Sequence, residues 1–178
     1  MSRILPERGA RKMFGWKKKR EEKTQAEFHA ICDGRVLPIS QVPDITFAQK
    51  LLGDGVGFSY EEPVIYSPCD GEIILVAQTN HAIGLRAENG AEIMIHVGMD
   101  TVNLKGRGLH PLVRLHKNVK AGDPLLEIDR GVMRENGINL ITPMILTNGE
   151  EYDLNIVKQD GEVTREEIAF VAVKRQAG

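Results

Sequence analysis

The stretch that determines the fold is GEIILVAQTNHAIGLRAENGAEIMIHV, residues 71–97. It divides into three β-prone runs, 71–78, 83–87 and 92–97, and polar or glycine-containing segments separate them. Runs of this length that are rich in Ile, Leu and Val and bounded by turn residues are typical of strands. Asn89-Gly90 favours a tight turn between antiparallel neighbours. We therefore predict that residues 71–97 form antiparallel strands.

The same pattern extends over most of the chain. Asp-Gly in the motif CDGRV (32–36) returns in CDGEI (69–73), each time before a β-prone run, which suggests a duplicated β architecture. Two segments, 46–52 and 132–136, are compatible with a turn or two of helix that Gly53 and Gly137 would end. The sequence thus predicts an all-β fold, a sandwich or barrel with short helical turns. Further strands are predicted at 34–39, 124–128, 142–146 and 169–173.

Composition limits the domain count and the class of partner. A chain of 178 residues with 42% hydrophobic residues is long enough for one substantial core. Its formal net charge of -2 gives no reason to expect nucleic-acid binding. Neither Cys32 nor Cys69 belongs to a Cys-x-x-Cys unit, and both are expected to fill small spaces in the core. No apolar run is long enough to span a membrane, so we expect a cytoplasmic protein.

The first 27 residues differ from the rest of the chain. They are basic, with a run at KKKR (17–20), and carry Phe14 and Trp16 among few other large apolar residues. Such a segment can be a solvated, disordered tail, or it can contact an anionic membrane surface peripherally. We therefore divide the chain into a tail, residues 1–27, and a folded domain, residues 28–178.

Two of the five histidines lie in segments that can present them for chemistry. His81 stands between two predicted strands, and His96 lies inside an apolar strand. Strand alternation places Met94, His96 and Gly98 on one face, opposite Ile95 and its apolar neighbours. A turn at Asn89-Gly90 would bring His81 and His96 side by side.

Three chemistries could use two imidazoles. A zinc hydrolase needs a third protein ligand, for which Asp100 is available, but the chain has no His-Glu-x-x-His motif. A serine hydrolase of the nucleophile-elbow type would need Gly-x-Ser-x-Gly, which is absent. A phosphoryl carrier needs one neutral imidazole nitrogen and donors for the phosphate oxygens.

A series of short motifs runs through the chain. They are VPDITFA (42–48), GDG (53–55), PCDGEI (68–73), TNHA (79–82), IHVGMDTVNLKG (95–106), VKAGD (119–123), EID (127–129) and TPM (142–144). Together they resemble the IIA domain of the glucose-type sugar phosphotransferase system. The resemblance covers residues 28–173, in order and with family-like spacing.

The resemblance implies a fold, an activity and a division of roles. The fold is an antiparallel β-sandwich of the barrel-sandwich hybrid type, a duplicated hybrid motif. His96 would accept a phosphoryl group from the phosphocarrier protein HPr and pass it to a cysteine of a IIB domain during sugar uptake. His81 would be the auxiliary histidine that stabilises the phosphate, and Thr79 would orient His81. From its position four residues after His96, Asp100 would orient the site, shape the recognition surface or simply end the strand.

Partner docking is assigned by the same resemblance to Ile45, Thr46, Phe47, Met94 and Gly98. No cofactor is required, although His81 and His96 could share a zinc ion with a carboxylate of a partner in a complex. A regulatory module that signals through its phosphorylation state, and a zinc peptidase on a similar framework, stand as alternatives. The transported sugar would be chosen by the membrane partner.

Overall fold

The computed structural model describes residues 23–176, in which short strands predominate. Two short α-helices and three 3-10 turns interrupt them. The strands are β1 Gln25–His29, β2 Gly34–Pro38, β3 Asp54–Ser59, β4 Val64–Tyr66, β5 Gly71–Val76, β6 Ala82–Ala87, β7 Glu92–His96, β8 Leu109–Pro111, β9 Asn118–Val119, β10 Pro124–Ile128, β11 Thr142–Leu146, β12 Tyr152–Ile156, β13 Gly161–Val163 and β14 Ile168–Lys174. The helices are α1 Ile45–Ala48 and α2 Arg130–Glu135, and the 3-10 turns are Ile39–Gln41, Thr101–Leu104 and Gly149–Glu151.

The strands form one large sheet and two small ones. The eight-stranded sheet has the order β13-β2-β3-β11-β7-β6-β5-β9, and the three-stranded sheets have the orders β1-β14-β12 and β4-β10-β8. Neighbouring strands in all three sheets are antiparallel. The predicted all-β, antiparallel fold with short helical turns is therefore confirmed.

Strand β7 separates two apolar clusters, as alternation predicts. Ile93 and Ile95 point into the main core, which also takes in Phe28, Phe58 and other residues from all three sheets. On the opposite face Met94 packs against a smaller cluster. The buried members of that cluster are Ile39, Val42, Phe47, Met99 and Ile145.

Both helical turns are present, with shifted bounds. Helix α1 begins one residue before the predicted 46–52 segment because the Asp44 side chain caps it, and it ends early because Lys50 takes a left-handed conformation (φ 60°). Helix α2 begins two residues before the predicted 132–136 segment because Asp129 caps it in the same way. Gly137 follows α2 with φ 63°, which agrees with the predicted stop.

The folded region starts earlier than the sequence indicated. Residues 25–27 were assigned to the tail, yet they belong to strand β1, which pairs with β14 along its length. The alternating QAEFH sequence buries Phe28, which packs against Phe170 at 5.0 Å between ring centroids. The rest of the predicted tail, residues 1–22, lies outside the described residues.

Both cysteines are buried and free, as predicted for core residues. Burial raises the pKa of each thiol well above its ordinary value. The two related segments that contain them are neighbours in space, since the His29 amide donates to the Pro68 carbonyl and the Tyr66 amide to the Ile31 carbonyl. Within residues 23–176 no helix has the length and apolar character needed to cross a bilayer.

Candidate functional site

The hairpin of β6 and β7 brings the two predicted histidines together. His96 is the last residue of β7 and pairs with Ala82, the first residue of β6. The turn between these strands contains Gly90 at φ 88°, and the Gly90 amide donates to the Ala87 carbonyl. The predicted Asn89-Gly90 turn is thus present, and it sets the register that places His81 beside the end of β7.

A second turn directs His81 toward His96. The Asn80 amide donates to the Ala77 carbonyl, and Asn80 itself has φ 61°. The left-handed residue lets the chain reverse just before His81, whose carbonyl accepts from the Val97 amide at 2.7 Å. Asn and Asp adopt this conformation more readily than other non-glycine residues.

The imidazole rings of His81 and His96 meet edge to face. Their centroids are 5.1 Å apart and their planes are inclined at 66°. The Phe47 ring packs against the other side of His96 at a centroid distance of 5.2 Å. Both histidines are half-buried, so each keeps part of its surface open to solvent.

Hydrogen bonding fixes the tautomer of neutral His96. Its Nδ1 lies 2.9 Å from the carbonyl oxygen of Gly98. A carbonyl can only accept, so Nδ1 must carry the proton. The neutral ring then keeps a free lone pair on Nε2, and a neutral imidazole nitrogen with a free lone pair can act as a nucleophile.

His81 is held through the same ring nitrogen but by a different group. Its Nδ1 lies 2.6 Å from Thr79 Oγ1. A hydroxyl can donate or accept, so this contact orients the ring in either tautomer. The predicted neighbour relation between Thr79 and His81 is present in the structure.

A buried threonine supports the backbone beneath His96. Thr142 Oγ1 donates to the Leu140 carbonyl at 2.9 Å and accepts from the Gly98 amide at 3.2 Å. Because its single proton is used, the Tyr60 hydroxyl, 2.9 Å away, is the donor of the third bond. Sequence reasoning did not assign Thr142 to the site, since its relation to Gly98 depends on the pairing of β7 with β11.

Burial and nearby carboxylates act on His96 in opposite directions. Burial is the larger effect and lowers the pKa of His96 below its ordinary value, while the Gly98 carbonyl, Asp44 and Asp100 raise it. The pKa of His81 is also lowered, first by burial and then by His96. Both rings therefore favour the neutral form more strongly than an unperturbed histidine does. Asp44, which also caps α1, was not predicted as part of the site.

The predicted docking residues have different environments. Ile45 is 67% exposed, and Thr46 and Met94 are half-buried. Phe47 is only 4% exposed, so its ring forms the floor beside His96 and not the rim. The Gly98 amide is already bonded to Thr142 and is not free to donate to a phosphate oxygen.

Gly98 and Asp100 shape the turn that follows β7. Gly98 has φ 71°, and a Cβ added to it would lie 2.9 Å from Thr101 Cγ2. Gly98 is therefore closely packed against the turn that follows it. Asp100 is exposed, has φ 57° and precedes the 3-10 turn Thr101–Leu104 without capping it through its side chain. The charge of its carboxylate acts on His96 and raises the pKa of that ring.

The described residues offer little for a metal. Among residues 23–176 no group of three or more His, Cys, Asp or Glu side chains could hold an ion. His81 and His96 together would supply two ligands, fewer than the three or four protein ligands of zinc sites. Any zinc bound here would need the remaining ligands from a partner.

Thr79, His81, His96 and Thr142 all lie in a region of the chain that matches a known protein family. Residues 26–152 match the family model for the phosphoenolpyruvate-dependent sugar phosphotransferase system, EIIA 1. The chain is similar to the glucose permease IIA from Mycoplasma capricolum, with 32% identity, a TM-score of 0.76, and coverage of 83% of this chain and 95% of that one. A second structure, Helicobacter pylori Csd3, gives a TM-score of 0.43 at 11% identity over 80% of this chain and 37% of that one, too low to bear on function.

Proposed function

Because the chain belongs to the EIIA 1 family of the phosphoenolpyruvate-dependent sugar phosphotransferase system, we propose that it carries a phosphoryl group on His96 Nε2 between two protein partners. The observation that supports this choice of atom is the hydrogen bond from His96 Nδ1 to the Gly98 carbonyl. It leaves Nε2 as the free nucleophilic nitrogen of the neutral ring.

In the first step His96 Nε2 would attack the phosphorus of phosphorylated HPr. The bond between phosphorus and the HPr histidine breaks as the bond to Nε2 forms, and the HPr imidazole leaves as a neutral ring after its other nitrogen takes a proton from solvent. His96 keeps its Nδ1 proton, so its ring carries a positive charge beside the phosphoryl group. In the second step a cysteine thiolate of a IIB domain would attack the same phosphorus. His96 then leaves as the neutral ring once Nε2 is free, ready for another cycle.

His81 would stabilise the phosphoryl group during both steps. A phosphoryl group brings about 1.5 to 2 negative charges. If Thr79 donates to His81 Nδ1, the neutral ring carries its proton on Nε2 and can donate it in a hydrogen bond to a phosphate oxygen. Thr79 is thus proposed as the residue that keeps His81 in its donating tautomer.

Asp44 and Asp100 would keep the phosphoryl group transferable. Both carboxylates act on His96 through their charge. In the unmodified protein they favour a positive His96, whereas in the phosphorylated protein they repel the bound dianion. That repulsion raises the free energy of the phosphorylated state and so favours onward transfer.

HPr and the IIB domain would dock in turn on an apolar rim around His96. Its exposed members are Ile45 in α1, Val102 in the 3-10 turn after Gly98, and Leu75 in β5. Leu75 belongs to the site because it pairs with Gly84, which pairs in turn with Met94 beside His96. A small rim suits partners that must both bind and leave. We expect this exchange to take place in the cytoplasm.

The test is transfer of labelled phosphate from phosphoenolpyruvate through enzyme I and HPr. We expect acid-labile label on the wild type and none on His96→Ala. His81→Gln should still accept phosphate but pass it to the IIB domain poorly. Lack of label on the wild type, or full labelling of His96→Ala, would contradict the proposal.

A further inference from the structure

A basic segment lies beside His81 and has no part in the proposed phosphoryl transfer. Residues 101–122 contain five Lys or Arg residues and no Asp or Glu. We call residues 105–117 the cationic loop; it runs from the end of the 3-10 turn Thr101–Leu104 through β8 to the residue before β9. Asn80 Nδ2 donates to the Leu109 carbonyl at 3.1 Å, so the loop adjoins the residue that precedes His81.

The tip of the cationic loop, residues 114–117, is held in a defined shape. The Lys117 amide donates to the Arg114 carbonyl, and His116 has φ 64°. Two further backbone bonds attach this turn to β5, from the His116 amide to the Ile73 carbonyl and from the Ile73 amide to the Lys117 carbonyl. The side chains of the turn are therefore presented by a backbone that is fixed to the large sheet.

The positive charge of the loop is only partly balanced. Arg114 and Lys117 are exposed and take part in none of the ion pairs within residues 23–176. Arg107 donates to Asn136, which is neutral. Three acids lie nearby. Glu72 pairs with His116, Glu127 of β10 stands opposite His110 of β8, and the Asp129 amide donates to the Gly108 carbonyl. The surface remains cationic.

Two exposed leucines stand among these cations. Leu112 is 44% exposed and Leu115 is 48% exposed. A lone exposed leucine needs no explanation. Two exposed leucines beside unbalanced Arg and Lys combine the apolar and cationic contacts that favour binding to anionic lipid surfaces. Residues 105–117 contain no Phe, Tyr or Trp on which nucleic-acid bases could stack.

We propose that the cationic loop docks on an anionic lipid bilayer, with Arg114 and Lys117 at the headgroups and Leu112 and Leu115 in the interface. The inference goes beyond the proposed function and does not depend on it. Docking in this way would hold the His81 edge of the site close to the membrane surface. Each cation near such a surface is worth about fivefold in binding. Replacing both by glutamate should weaken binding at least about 25-fold.

The test measures binding of the full-length protein to vesicles of phosphatidylcholine with and without phosphatidylglycerol. We compare the wild type with Arg114→Glu/Lys117→Glu, and with the control Arg35→Glu/Lys174→Glu, which changes the net charge equally at exposed positions elsewhere. Every variant keeps the basic N-terminal residues, so their contribution cancels. We expect the loop variant alone to lose binding to the anionic vesicles, while label on His96 is unchanged.

A second variant, Leu112→Ser/Leu115→Ser, leaves the charge unchanged and keeps the test informative if the charge variant is unstable. We expect it to weaken vesicle binding as well, at low and at high salt. Equal binding by wild type and loop variants, or no binding by the wild type, overturns the proposal. So does a loop variant that only slows transfer to a protein partner in a salt-dependent way, since the loop would then recognise an acidic protein.

Discussion

Replacing Thr142 by valine tests whether one buried hydroxyl supports the backbone below His96. Thr142 is fully buried and accepts from the Gly98 amide and the Tyr60 hydroxyl. Valine has nearly the same shape, so the main loss is hydrogen bonding. Each buried donor left without a partner costs about 1–3 kcal/mol. We therefore expect Thr142→Val to lower the free energy of unfolding by about 2–4 kcal/mol.

Tyr60→Phe supplies the matched second variant. It removes one of the two donors, and we expect it alone to cost about 1 kcal/mol. In a protein that already carries Tyr60→Phe, Thr142→Val leaves only the Gly98 amide without a partner. The loss of unfolding free energy caused by Thr142→Val should therefore be smaller by about 1 kcal/mol. Urea unfolding followed by circular dichroism measures all four proteins. Strict additivity of the two changes, or a Thr142→Val cost below about 0.5 kcal/mol, would refute this account of the network.

Three further predictions concern the site. Gly98→Ala should destabilise the protein by about 1–3 kcal/mol and slow phosphate acceptance, because φ 71° strains alanine and its Cβ meets Thr101; unchanged urea midpoints would contradict this. Thr79→Val should slow transfer to the IIB domain about tenfold while Thr79→Ser restores it, since only the hydroxyl holds His81; equal rates would remove Thr79 from the mechanism. The lowered pKa values of His81 and His96 should make unfolding easier as pH falls from about 6.5, where the unfolded chain takes up protons first. A His81→Gln/His96→Gln variant should lose less stability over that range.

Much of the fold follows from local sequence. The apolar runs around Asn89-Gly90 indicate strands and the turn that joins them, and alternation in β7 places His96 opposite Ile95. The shortest strands, such as β9 and β13, were not predicted because two or three residues carry too little pattern. Strand β12 was missed because Asp153 and Asn155, which have low β-propensity, occupy its exposed positions.

The site was predictable in part. The positions of His81 and His96 follow from one turn, and the neighbour relation of Thr79 and His81 is local. The contact between Thr142 and Gly98 could not be predicted from the sequence, because the two residues are 44 positions apart and meet through the pairing of β11 with β7. The burial of Phe47 likewise depends on the packing of α1 against Met99 and Ile145. A helix of four residues is too short for its sequence pattern to predict that packing.

The measurement that tests the central claim most directly is phosphorus and nitrogen NMR of the phosphorylated, isotope-labelled protein. Because His96 Nδ1 is occupied by the Gly98 carbonyl, the phosphoryl group should reside on Nε2 of His96. The spectra should show one phosphohistidine, bonded through Nε2 and absent from His96→Ala. A phosphoryl group on His96 Nδ1, or on His81, would contradict the account.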